Sequence, residues 1–132
     1  MKVSKTILLV EDDQDDQEFF MLALEGIENI SLYGIANNGR EALQQLQNAT
    51  ELPDLVFSDI NMPLMNGMEY LLEMGNNLRT RNIPIVIIST SSNNKALLLG
   101  LGARAFIEKP TDPASLHNAL KQLLLQDLEV SK

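Results

Sequence analysis

The carboxylates of Glu11, Asp12, Asp13 and Asp59, the hydroxyls of Ser89 and Thr90 and the ammonium of Lys109 form a chemically complementary set if one fold gathers them. Each stands at or just beyond the end of a short apolar run: 7–10 before the three acids, 55–58 before Asp59, 85–88 before the hydroxyls and 105–107 before Lys109. Carboxylates brought to one rim repel one another and retain protons unless a cation sits among them. An all-oxygen donor set with room for water suits Mg²⁺, or Mn²⁺ in its place. A carboxylate in such a site can attack phosphorus, because the metal screens the incoming anion and Lys109 can pair with its oxygens. The product expected is an aspartyl phosphate on Asp59. Taken singly, several of these residues are ordinary: Asp12 and Asp13 suit the solvated start of a helix, Lys109 a surface, and Ser89 the end of a strand, with Thr90 a second hydroxyl in reserve. Asp59 resists that reading, since it follows an apolar run and precedes Met62 and Pro63, at a strand end in a loop.

The elements that must position these groups follow from periodicity. The runs at 7–10, 55–58, 85–88 and 105–107 are short and bulky without alternation, the pattern of strands covered on both faces, and 31–36 is a weaker fifth strand. Between them, apolar residues recur at helical spacing: Phe19, Phe20, Ala23, Leu24 and Ile27; Ala42, Leu43 and Leu46 after Asn38 and Gly39; Met68, Leu71 and Leu72 after Asn66 and Gly67. A short helix is expected over 95–101. A last one starts well at Asp112 as N-cap with Pro113 in its first turn, and Leu116, Leu120, Leu123, Leu124 and Leu128 make its stripe. Five strands alternating with five helices predict a doubly wound α/β fold, a parallel sheet with helices on both faces, whose ligands lie outside the carboxyl ends of the strands.

Composition narrows the function. A chain of 132 residues is sized for one domain, 1–132, and no linker, repeat or low-complexity segment divides it. No apolar stretch approaches the ~18 residues of a membrane helix, and the N-terminus lacks a secretory signal. With no cysteine there is neither a disulfide framework nor a thiolate metal site, a usage compatible with a cytoplasmic location. The net charge of −8 and scattered Lys and Arg oppose a basic stripe, so no nucleic-acid partner is expected.

Three motifs, in order along nearly the whole chain, resemble the response regulator receiver domains of two-component signalling: Val10-Glu11-Asp12-Asp13, Asp59-Ile60-Asn61-Met62-Pro63-Leu64-Met65-Asn66-Gly67, and Gly102-Ala103-Arg104-Ala105-Phe106-Ile107-Glu108-Lys109-Pro110. The resemblance implies a flavodoxin-like (CheY-like) strand order 2-1-3-4-5. It implies that Asp12 and Asp13 hold the metal with Asp59 and the backbone carbonyl of Asn61, with Glu11 in reserve. Lys109 would pair with the phosphoryl group, through a Lys109-Pro110 peptide that is cis in this family. Ser89, matched by its spacing from Pro84, would be the hydroxyl that binds the phosphoryl group, and Phe106 the ring that turns inward when it does. The donor would be a sensor histidine kinase or phosphotransfer protein. The domain would catalyse only its own phosphorylation and dephosphorylation, and with no output domain expected after Lys132 it would signal by binding a downstream protein. The acidic start also resembles the small receivers found beside phytochrome-type kinases. His117, the sole histidine, is expected mid-helix with a solvated side chain, leaving the phosphohistidine to the partner.

The sequence departs from the family between Ser89 and Gly102, where the chain is shorter than usual. Leu97, Leu98, Leu99 and Leu101 are too many apolar side chains for one face of a short helix. Either some are exposed, as in a homodimer through the fourth helix, fifth strand and fifth helix, or a distorted loop buries all four. Rival functions fit less well. A phosphohydrolase with an aspartyl nucleophile carries a second acid two residues on, where this chain has Asn61. A flavodoxin-like cofactor binder cradles phosphate in its first loop, where Glu11-Asp12-Asp13-Gln14-Asp15-Asp16 repels anions. A scaffold that has lost the chemistry would not need every acid, hydroxyl and lysine.

Overall fold

β-branched and leucine-rich runs supply the sheet of this computed structural model, which describes residues 5–59, 67–90 and 94–130, with only the backbone of 67, 68 and 125–130. The chain runs β1 (Lys5–Val10), α1 (Gln14–Leu24), β2 (Ile30–Ala36), α2 (Gly39–Asn48), β3 (Leu55–Asp59), α3 (Gly67–Asn76), β4 (Ile85–Ser89), α4 (Lys95–Gly100), β5 (Ala105–Glu108) and α5 (Pro113–Val130). The strands form one parallel sheet in the order β2-β1-β3-β4-β5, the doubly wound arrangement expected.

Side chains alternate along each strand, and helices on both faces bury those of the central strands β1, β3 and β4. Leu8, Val10, Val56, Ile85 and Ile87 pack with Ala42 and Leu46 of α2, Tyr70, Leu71 and Met74 of α3, and Leu98 of α4. Ile7, Leu9, Leu55, Phe57, Val86 and Ile88 pack with Phe20 and Ala23 of α1 and Leu116, Leu120 and Leu124 of α5. Each such aliphatic side chain contributes about 1.5–3 kcal/mol when fully buried. On the second face the Phe20 and Phe57 rings meet at 5.4 Å, fixing α1 over β3.

Several helix ends are satisfied by named groups. Asp112 caps α5, accepting from the Ser115 backbone N–H at 2.9 Å, and Asn38 caps α2, accepting from the Glu41 N–H at 2.8 Å. Arg79 crosses from the α3–β4 connection to donate to the carbonyls of Leu46 and Ala49 at the end of α2. α4 ends in a Schellman turn: the Gly102 N–H donates to Leu99 O, the Ala103 N–H to Leu98 O, and Gly102 takes φ +118°.

Three expectations need correcting. Leu72 is 50% exposed; the buried stripe of α3 is Tyr70, Leu71 and Met74, one helical step away, while the Met68 side chain and that of Leu128 lie outside the described residues. His117 is half-buried rather than solvated. Its Nδ1 lies 2.7 Å from the Ala23 carbonyl, in the last turn of α1, so it ties α5 to a helix end that wants a donor. The loop that would bury all four leucines does not form: Leu98 alone is fully buried, Leu101 packs partly against the core, and Leu97 and Leu99 are 50% and 39% exposed. Among the described residues no helix is long and apolar enough to cross a membrane.

Candidate functional site

Strand register brings the chemistry to one edge. Val10 pairs with Ser58, Asp59 with Ile88, and Ser89 with Glu108, so Glu11, Asp59, Ser89 and Lys109 emerge together at the carboxyl rim. The ladder continues past the strands, with the Glu11 N–H donating to Ala36 O at 2.9 Å and the Lys109 N–H to Ser89 O at 2.7 Å. Asp59 and Ser89 are thus the last residues of their strands, held by sheet hydrogen bonding rather than left in loops.

One carboxylate oxygen each from Glu11, Asp12 and Asp59 lie within 4.8 Å of one another. Such a grouping could hold a divalent cation, and its donors are the hard oxygens that Mg²⁺ and Mn²⁺ prefer. The electrostatics agree. Glu11 is 5% exposed, and burial first, then the charge of Asp59, pushes its carboxyl up to about 7. A cation among these oxygens would relieve that repulsion.

Asp13, expected among the ligands, is not in this group. Its backbone is extended at φ −89°, and its side chain accepts from the N–H groups of Asp15 and Asp16, capping α1. The acids whose carboxylate oxygens gather with Asp59 are Glu11 and Asp12, while the carboxylate of Asp13 is engaged at the helix start. The carbonyl of Asn61 lies outside the described residues.

Lys109 is 15% exposed at its side chain and reaches two carboxylates, Asp16 at 3.2 Å and Glu11 at 3.7 Å. Sequence reading missed Asp16, because its pairing with Lys109 joins segments far apart in the chain. A small pocket joins these groups, lined by Glu11, Asp16, Ser58, Asp59 and Lys109 over a floor that includes Phe20. Ser89 is buried while Thr90 is exposed. Phe106, half-buried, packs on the α3–α4 side, and its neighbours Ala105 and Ile107 pack on the α1–α5 side. No cis peptide occurs among the described residues, so Lys109-Pro110 is trans, contrary to the resemblance; trans is the lower-energy form even before proline.

Comparison with known proteins bears on this rim. The profile of the response regulator receiver domain matches residues 7–121. The protein-glutamate methylesterase/protein-glutamine glutaminase of Geobacillus kaustophilus is 33% identical over 120 residues, covering 88% of this chain and 33% of that protein. The Treponema pallidum protein of the same name is 35% identical over 115 residues, 84% of this chain and 28% of its own. The chain thus spans about a third of the length of these curated relatives. Among solved structures, the phosphorylated cyanobacterial phytochrome response regulator RcpA superposes with TM-score 0.80 at 27% identity, covering 92% of this chain and 91% of that one. The Mn²⁺-bound form of response regulator Rcp1 gives 0.77 at 27%, covering 90% and 91%.

Proposed function

This chain belongs to the response regulator receiver domain family of two-component signalling, and from that premise we propose that Asp59 accepts a phosphoryl group from the phosphohistidine of a sensor histidine kinase or phosphotransfer protein. The observation that carries the reading is the carboxylate group of Glu11, Asp12 and Asp59 with Lys109 at the same rim. Mg²⁺ or Mn²⁺ held by those acids and the Asn61 carbonyl would neutralise the charge that gathers as one anion approaches another. An Asp59 oxygen forms the new bond to phosphorus as the bond to the donor nitrogen breaks. The Lys109 ammonium and the Ser89 hydroxyl then donate to the phosphoryl oxygens. Ser89 is drawn toward them, and Phe106 moves into the space it leaves, changing the surface around α4 and β5. The domain acts catalytically on itself alone, including hydrolysis of its own acyl phosphate. The methylesterase and glutaminase activities belong to the longer relatives that carry those names. A downstream protein reads the altered surface, and a homodimer through α4, β5 and α5 is supported by the exposure of Leu97 and Leu99.

The test is intact mass of the wild type and of Asp59→Asn after incubation with phosphoramidate, with Mg²⁺ and with a chelator. One phosphoryl adduct that requires both Asp59 and the metal is expected. No adduct under any condition would leave the fold and overturn the phosphoacceptor role.

A further inference from the structure

The ion pair of Lys109 with Asp16 lies outside the scheme above, and resting on it, we propose that Asp16 is a positioning residue. It holds the Lys109 ammonium against α1 while Asp59 is unmodified, and releases it when phosphoryl oxygens arrive. The geometry points this way. Asp16 Oδ1 stands 3.2 Å from Lys109 Nζ, nearer than Glu11 Oε1 at 3.7 Å, and the Lys109 side chain is 15% exposed against 40% for Asp16. The backbone of Asp16 is held in the first turn of α1, its N–H donating to the Asp13 cap at 3.3 Å, so its carboxylate stays within reach of the ammonium as a competitor. It also lines the pocket that holds Asp59. Filling Asp59 from a small donor such as phosphoramidate breaks a P–N bond, releases ammonia carrying the donor's own protons, and forms a P–O bond. Lys109 must exchange Asp16 for the new oxygens in the same event. Asp16 therefore raises the donor concentration needed to fill the site.

Asp15 provides the control. It shares the first turn and the charge of Asp16, it is exposed, and among the described residues its carboxylate makes no pair with Lys109. Intact mass against phosphoramidate concentration, at saturating Mg²⁺, is measured for wild type, Asp16→Asn, Asp15→Asn and Asp16→Glu. The expected result is a half-saturating donor concentration roughly two- to fivefold lower for Asp16→Asn than for Asp15→Asn, the size of one partly exposed ion pair, with wild-type behaviour restored by Asp16→Glu. Titration calorimetry with Mg²⁺ should move alike in the two Asn variants, separating loss of charge from loss of the pair. Should Asp16→Asn fail to fold, Asp16→Ser repeats the comparison. An adduct on the wild type with identical curves for the two Asn variants overturns this inference alone. No adduct on the wild type overturns the phosphoacceptor reading and this inference with it.

Discussion

A carboxylate that is 5% exposed and faces Asp59 resists ionisation, and Glu11 accordingly keeps its proton up to about 7 rather than the ordinary 4.5. Lys109 and the Asp13 N–H pull the other way without cancelling the burial. The consequence for stability has a definite sign. A group whose folded value is raised contributes stability that is fully present below 4.5 and lost as pH rises through about 7, because the unfolded chain gives up the proton first. Metal-free protein should therefore unfold at lower urea concentration at pH 8 than at pH 5, Glu11→Gln should flatten that difference, and Mg²⁺ should restore stability at pH 8 but not at pH 5. Equal pH slopes in wild type and Glu11→Gln would refute this account of Glu11. Reading the sequence placed Glu11 only in reserve, since three adjacent acids look alike until a backbone assigns each a direction.

The start of α1 makes that assignment. With Asp13 as N-cap, two backbone donors of the first turn are satisfied by its carboxylate, and Asp12 is left at the rim. Substitution should separate the two roles. Asp13→Ala is expected to cost about 1 kcal/mol in chemical denaturation with Mg²⁺ affinity little changed, whereas Asp12→Ala should lose most of the Mg²⁺ affinity with a small effect on stability. Comparable loss of Mg²⁺ binding in both variants, read by calorimetry, would return Asp13 to the ligand set. Helix ends elsewhere tell a similar story of legibility. Asp112 was recognisable as a cap because the cap and its donor are three residues apart, while Asn38 was read only as a break before α2 and proves to cap it. The clamps of Arg79 on α2 and of His117 on α1 were not, because each bridges segments distant in the chain. The same holds for α3, whose stripe was misplaced onto Leu72 because helical spacing leaves the phase free when several neighbours are apolar.

At the scale of the molecule, the α4 side presents exposed apolar side chains. Leu97 and Leu99 are exposed beside a buried Leu98, and a net charge of −8 makes association of two copies sensitive to salt. If the proposed homodimer forms, sedimentation of the wild type should detect it at high protein concentration. Leu97→Glu with Leu99→Glu should abolish it at little cost to folding, since neither side chain is buried. A clean monomer in the wild type, with and without phosphorylation, would remove the dimer and leave these leucines to a different partner. By itself the sequence determined the alternation of strands and helices, the burial of the central strands on both faces, and the placing of Asp59, Ser89 and Lys109 at strand ends. Those features rest on patterns of burial repeated over a few residues. Only the tertiary structure groups carboxylate oxygens of Glu11 and Asp12 with Asp59 while the Asp13 side chain caps α1, pairs Lys109 with Asp16, and turns one leucine of α4 inward while two turn out. Each depends on where a helix begins relative to the sheet and on contacts between distant segments, and neither is encoded in the spacing of neighbouring residues.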